Sequence, residues 1–327
     1  ASGPSSGVAS SVHGSVAVRA SRLNRLGLVI ESGQAPAFGG EPVPCWQFAP
    51  AWRGATLHMS ESISPDPLFS IADRVTVVSG GSRGIGREMA AGFARRGALV
   101  VVTGRDAGTL EATVSEIAGE VDSRVLGIVC DVSKPSDITG LVEEVVSEFG
   151  RIDVLLNVAG VNRRKRVELV TEEDYDYVLD INLKGAFLIA QAVGRQMIAQ
   201  ESGTIINVDS LNTYAPLKGV APYAMSKAGL VMMTRSLAAE WGEHGVRVNT
   251  IAPGFILTDM TRTLWSDPVM QEWGLANTPL RRLGEVEDLV GAAVFLAAEA
   301  SAFMTGQVVR VDGGFSAGLL WPIPLDD

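Results

Sequence analysis

From Arg74 onward, short β-branched runs alternate with helix-length stretches, and a glycine-rich turn joins the first pair. Arg74-Val-Thr-Val-Val-Ser79 reads as a buried strand and Gly80-Gly-Ser-Arg-Gly84-Ile-Gly86 as the turn. A helix follows from about Arg87 to Arg96 and stops at Gly97. Strands at Ala98–Thr103, Val125–Cys130 and Ile152–Leu156 then alternate with helices at Leu110–Ile117 and Asp137–Phe149. The second half keeps the rhythm, with helices at Asp180–Gln200, Pro222–Trp241 and Val286–Ala298 and strands at Thr204–Val208, Val246–Ile251 and Val308–Val311. Such alternation predicts an α/β fold: a parallel, doubly wound sheet of about seven strands, with right-handed crossovers placing helices on both faces.

Residues 1–67 look different. They are rich in Ser, Gly, Pro and Ala, show no hydrophobic period, and carry no acid before Glu31. Arg19, Arg22 and Arg25 in that acid-free setting fit an organelle transit peptide. The plainer reading, which we prefer, is an extension of low order, with Met59 a natural beginning. The folded domain is expected over 68–327.

A formal net charge of −10 argues against a nucleic-acid partner. No apolar run approaches the roughly 18 residues of a membrane span, so no membrane partner is expected. Cys45 and Cys130 are isolated, Cys130 ending an apolar run, which suggests a buried thiol, no disulfide framework and a reducing compartment. That points to the cytoplasm, or to an organelle matrix if the leader is a transit peptide. His13, His58 and His244 are scattered singly, without metal-ligand spacing.

A glycine-rich turn between a first strand and a helix is a dinucleotide cradle. Gly80 allows the sharp turn, Gly84 close backbone approach and Gly86 tight helix packing, with Ser82 and Ile85 in the same turn. A pyrophosphate would meet the free N–H groups of the helix. The second strand ends Thr103-Gly104-Arg105, with no acid at its tip to take a ribose hydroxyl; Asp106 follows only after the arginine. Arg83 and Arg105 together suit a 2′-phosphate, so NADP(H) is expected, with NAD(H) and ordinary surface arginines as the alternatives.

Tyr223 and Lys227, four apart on one helix face, are a candidate acid–base pair, although that spacing by itself more often marks a solvated helix face. An ammonium beside a phenol favours the ionised form and lowers a pKa that is ordinarily about 10. A tyrosine so tuned works as a general acid or base.

The stretch from about Phe69 to Gly318, three quarters of the chain, resembles the short-chain dehydrogenase/reductase family. The matching elements are Ser79-Gly80-x3-Gly84-x-Gly86, Cys130-Asp131-Val132, Asn157-Val-Ala-Gly160, Asn182, Ser210, Tyr223-x3-Lys227 and Pro253-Gly254. Ser79 stands for the usual threonine and Val158 for a second asparagine. The resemblance implies a Rossmann-type fold and hydride transfer between nicotinamide C4 and a secondary alcohol or ketone. Tyr223 would exchange the proton and Ser210 hydrogen-bond the reacting oxygen. Lys227 would hold the ribose and lower the tyrosine pKa, while Asn182 anchors a water. Asp131 and Val132 would meet the adenine, and Asn157, Ala159, Gly160, Pro253 and Gly254 line the cofactor.

Four consecutive cations, Arg163-Arg-Lys-Arg166, follow the fourth strand. For Arg163 and Arg164 a carboxylate clamp and a solvated charge stand level; Lys165 and Arg166 read as surface charge. The local sequence is similar to the gluconate 5-dehydrogenase and 2-deoxy-gluconate 3-dehydrogenase branch, which implies a small sugar acid as substrate, with Asn212 on a sugar hydroxyl. A 3-oxoacyl-carrier-protein reductase, a broad carbonyl reductase and a non-catalytic dinucleotide sensor are the alternatives. Thr258–Thr278, irregular and holding Trp265 and Trp273, would cover the substrate. The apolar helices around Ala186, Ala190, Met232, Met233 and Leu237 suggest a partner subunit, which the family resemblance implies is a homotetramer, and the apolar tail Leu319–Leu325 is expected to pack on the core or a neighbour.

Overall fold

The computed structural model describes residues 66–320. The readings of the leader, Met59, Cys45, His13 and His58, and of the tail from 321 to 325, lie outside the described residues. Among those described, no helix is long and apolar enough to cross a membrane.

Seven strands form one parallel sheet: β1 (Val75–Ser79), β2 (Leu99–Gly104), β3 (Val125–Val129), β4 (Val154–Asn157), β5 (Gly203–Val208), β6 (Val246–Pro253) and β7 (Val308–Val311). Their order is β3-β2-β1-β4-β5-β6-β7, the Rossmann arrangement, winding outward from the β1–β4 pair. β1 is buried at every position, which is why it reads as an unbroken apolar run rather than an alternating one. Side-chain alternation divides the core in two. Val78, Val100, Val102, Leu156 and Ile206 meet helices α1 (Gly84–Ala94), α2 (Ala107–Glu120) and α9 (Val290–Ala297) on one face. Val77, Val101, Leu155 and Ile205 meet α3 (Pro135–Phe149), α5 (Ala186–Ala199) and α6 (Ala221–Trp241) on the other. Phe93, Met89 and Ile189 are fully buried. Burying side chains of that size stabilises by about 1.5–3 kcal/mol each.

The single helix expected over Asp180–Gln200 is two segments, and a further helix, not expected, runs into them, so that three follow one another without a break. They are α4 (Glu172–Leu179), a π-helical stretch Asp180–Gly185, and α5. α4 has no apolar period because it buries only Asp174 and Val178. Its beginning is a capping box, with the Thr171 hydroxyl accepting from the Asp174 N–H and Asp174 accepting from the Thr171 N–H. The stretch expected to be irregular is two helices, α7 (Asp259–Trp265) and α8 (Pro268–Asn277). They enclose a small separate core of Leu211, Phe255, Trp265 and Leu283.

Candidate active site

The strand order reverses at the β1–β4 pair, so the carboxyl ends of these strands are where a crevice is expected in such a sheet, and the glycine turn follows β1 there. Gly80 has φ +70°, and a Cβ there would stand 2.7 Å from Ala159 Cα. A Cβ on Gly86 would stand 2.2 Å from the Gly80 carbonyl oxygen, so turn and helix touch backbone to backbone. Gly84, at φ +55°, faces open space up to Thr258, 3.8 Å from its Cβ position. No side chain caps α1, so its first N–H groups are left to whatever enters the crevice. A left-handed turn, bare amides and a cleared floor fit a dinucleotide pyrophosphate.

At the tip of β2, Ser82 Oγ lies 2.7 Å from the Cβ position of Gly104, so serine and strand end are packed together. Arg83 and Arg105 are exposed. Neither is ion-paired among the described residues. Asp106 caps α2 instead, accepting the Thr109 N–H at 2.8 Å. Asp131 accepts both donors of Ser133, at 3.0 and 2.8 Å, through one oxygen, and Val132 is buried below it. Asn157 departs from expectation. Its amide donates to the Ala186 carbonyl at 2.9 Å and to Asn207 at 3.1 Å, tying β4 to β5 and α5 rather than facing the cleft. Ala159 and Gly160 do face it. Gly254, past the end of β6, runs so close to Asp312 that a Cβ would stand 2.6 Å from its Cα.

Tyr223 and Lys227 project from the first turns of α6. Lys227 is buried; its Nζ donates to the Val208 carbonyl at 2.6 Å and lies 5.7 Å from the Tyr223 ring centroid. Ser210 stands two residues past the end of β5, and its hydroxyl pulls the pKa of the Tyr223 phenol down. Asn182, fully buried in the π-helical stretch, accepts the Val161 N–H at 2.7 Å. It donates to the Val161 carbonyl at 2.9 Å and to Ser226 Oγ at 3.2 Å. Both of its amide protons are spent on protein, so it clamps the β4 loop to α6; Oδ1 keeps one lone pair, the acceptor left to a water. A Cβ on Gly160 would lie 3.5 Å from Asn182 Oδ1 and 3.7 Å from Lys227 Nζ, which brings loop, clamp and lysine together.

The expected lowering of the tyrosine pKa is reversed. Burial pushes the Tyr223 phenol up to about 12, with the Ser210 hydroxyl pulling it down and the Asp209 charge adding to the rise. Burial also brings Lys227 down to about 8, opposed by Asp209. Spacing alone sees the ammonium but not the desolvation of both partners. Asp209 was missed by sequence reasoning, although an acid closing an apolar strand beside a serine is a readable signal. It is 2% exposed; one oxygen accepts the Thr213 hydroxyl at 2.6 Å and the other has no partner. Burial pushes its carboxyl up to about 6.

The cation run is mostly ion-paired with acids of the same chain. Arg163 bonds Asp174 at 3.0 Å and Glu173 at 3.1 Å and lies over the Tyr177 ring at 4.2 Å, so it is turned toward α4. Lys165 also pairs with Asp174, and Arg166 with Glu168. Arg164 alone of the four has no acidic partner among the described residues. Its chain runs beside Gly219, and the Lys165 N–H donates to the Gly219 carbonyl at 2.9 Å, which docks the loop onto the segment leading into α6. Asn212 is likewise engaged, with Ser210 and Leu217 rather than open to a ligand.

A family model described as enoyl-(acyl carrier protein) reductase matches residues 80–316, well over half of the chain. The gluconate 5-dehydrogenase of Gluconobacter oxydans is 39% identical, covering 78% of this chain and 99% of that protein. The chain belongs to the short-chain dehydrogenase/reductase family. It is an NAD(P)-dependent oxidoreductase of CH–OH groups. A 3-oxoacyl-[acyl-carrier-protein] reductase of Chlamydia muridarum is 38% identical, covering 75% of this chain and 98% of that protein. Among solved structures, a gluconate 5-dehydrogenase from Burkholderia cenocepacia in complex with NADP and tartrate superimposes with TM-score 0.75 and 34% identity. It covers 77% of this chain, which in turn spans 99% of that one.

Proposed function

We propose that this enzyme interconverts a secondary alcohol and a ketone on a polyhydroxy carboxylate of the gluconate and keto-gluconate kind, with NADP(H) preferred. The observation that carries the substrate class is Arg164, the one unpaired cation of the loop docked beside the α6 pair, in a chain 39% identical to a gluconate 5-dehydrogenase. A guanidinium without an acid of its own is the group that a substrate carboxylate would meet. NADP(H) is supported by the unpaired Arg83 and Arg105 and by Asp106, whose carboxylate is taken up in capping α2.

In this reading Gly80, Ser82, Gly84, Ile85 and Gly86 hold the pyrophosphate, and Arg83 and Arg105 the 2′-phosphate. Asp131 and Val132 border the adenine; Ala159, Gly160, Pro253 and Gly254 border the nicotinamide half. The bound dinucleotide gives or takes the hydride. Tyr223 supplies the proton to the reacting oxygen in reduction and removes it in oxidation, and Ser210 donates a hydrogen bond to the same oxygen. Lys227 keeps a positive charge beneath the phenol, and Asn182 fixes the loop that carries Gly160.

A 3-oxoacyl-carrier-protein reductase is the second reading, favoured by the Chlamydia relative. It would use the cation run as a docking patch for an acidic carrier. Three of those four cations are already neutralised by acids of this chain, which weakens that use. Turnover of gluconate, 5-keto-gluconate and acetoacetyl thioesters with NADP(H) and NAD(H) tests both. Thioester reduction without any sugar-acid turnover would replace the first reading with the second.

A homotetramer remains part of the proposal, on a narrower basis. Ala186, Ala190, Met233 and Leu237 are buried in the chain's own core, whereas Met232 and Phe187 are exposed on α6 and α5. Light scattering giving a monomer would remove it.

A further inference from the structure

Asn212 makes three hydrogen bonds, and their directions are forced. The Leu217 backbone N–H, which can only donate, meets one side-chain atom at 3.0 Å; that atom is therefore the carbonyl Oδ1. The other atom is the amide Nδ2, which can only donate, and it faces Ser210 Oγ at 3.1 Å. The backbone N–H of Asn212 also donates to Ser210 Oγ, at 3.2 Å. A hydroxyl oxygen has two lone pairs and one proton. Both lone pairs of Ser210 are thus met from the Asn212 side, which leaves its proton for a partner elsewhere; the hydroxyl pulls the Tyr223 pKa down, as a donor to that phenol does.

We propose that Asn212 is a positioning residue that fixes Ser210 as a hydrogen-bond donor to the reacting oxygen and to the Tyr223 oxygen. A serine free to rotate spends part of its time accepting, and in that orientation it opposes negative charge on either oxygen. Held as a donor, it stabilises the alkoxide that develops as hydride leaves or arrives and the phenolate that oxidation requires. The substrate oxygen then meets a preset dipole, and no reorientation is needed during the reaction. The chain builds this from local parts: Ser210 caps the turn Leu211–Thr213, and the next loop returns Leu217 to hold the amide.

The inference rests on the roles of Ser210 and Tyr223 proposed above, and the test separates the two. The rates of 5-keto-gluconate reduction by NADPH are compared for wild type, Ser210→Ala, Asn212→Ala, Asn212→Asp and the Ser210→Ala/Asn212→Asp double variant. If that acid is not turned over, the fastest ketone of the wider panel takes its place. Asn212→Asp keeps the shape and the acceptor for Leu217 but presents Ser210 with an acceptor, reversing the hydroxyl. It is expected to lower kcat about 100-fold with KM little changed, and to lower it more than Asn212→Ala does. In the Ser210→Ala background it should cost almost nothing further, because the group it acts through is gone. A purely structural role gives the opposite order, since aspartate still holds Leu217 and alanine does not. Asn212→Asp activity at or above that of Asn212→Ala, or a loss that multiplies with that of Ser210→Ala, would overturn the positioning role. An effect confined to KM would return Asn212 to direct substrate contact. Full activity in Ser210→Ala would sink the catalytic assignment itself, and this inference with it.

Discussion

Asp106 accepts both the backbone N–H and the hydroxyl of Thr109, at 2.8 and 2.5 Å. The first acid after β2 is therefore a helix cap, and the charges left at that strand tip are Arg83 and Arg105. Arg105→Ala is expected to raise KM for NADP about 10- to 100-fold, as loss of a charge-assisted contact does, with little change for NAD. Steady-state kinetics with both dinucleotides decide it; equal losses with each would remove the 2′-phosphate assignment.

Gly86→Ala tests the cradle. Its Cβ would lie 2.2 Å from the Gly80 carbonyl oxygen, and both partners are backbone, so the turn must open. Overpacking of this kind costs about 1–3 kcal/mol. The expected result is a lowered Tm together with loss of NADPH binding, read by thermal melting and by cofactor fluorescence. Wild-type affinity in this variant would exclude the glycine turn from the site.

Neighbouring arginines should behave differently. Arg164→Ala is expected to raise KM for acidic substrates about 10- to 100-fold while leaving neutral ketones almost unaffected. Arg163→Ala should lower the Tm instead, because it strips Asp174 of a partner at the α4 cap. If Arg163→Ala produces the KM effect and Arg164→Ala does not, the side facing substrate has been assigned to the wrong residue.

With its phenol pushed up to about 12, Tyr223 is protonated through the neutral range. Ketone reduction, which needs the proton, should hold steady across neutral pH. Alcohol oxidation, which needs the phenolate, should climb into the alkaline range. Profiles of kcat/KM against pH in both directions check this. Oxidation levelling off below pH 8 would mean that something other than the surroundings described above acidifies the tyrosine.

Asp209 carries a stability signature. Its native carboxyl is raised to about 6, so between the unfolded value of about 4 and that pH the native chain binds more protons than the unfolded one. Stability contributed by the protonated carboxyl is whole below that window and is lost as pH rises through it. Asp209→Asn, which keeps an acceptor for Thr213, should therefore stabilise by about 1–3 kcal/mol at pH 8, a gain that fades toward pH 4. Denaturant melts at both pH values test it, and an equal effect at each would refute an ionised, unpartnered carboxylate.

Much of the fold was legible because parallel strands buried on both faces read as unbroken β-branched runs, and the seven predicted strands match within a residue or two at their ends. Helix α4 was not, since it turns an acidic face outward and its only apolar anchor is Val178. The cradle and the α6 pair stood out because local backbone geometry demands glycine, or a spacing of four. Which of two adjacent arginines is left without an acid is decided by Asp174, a partner brought close only by folding, and no local pattern records it. The same holds for Tyr223: the lysine is visible four residues away, whereas the burial that outweighs it belongs to the whole fold.

The aromatic cluster of α7 and α8 is held by Phe255 and Leu211 and stands apart from the two cores that support the sheet. Changes within it leave those two cores alone but reach the site through the chain itself, because Leu211 adjoins Ser210 and Phe255 adjoins Gly254.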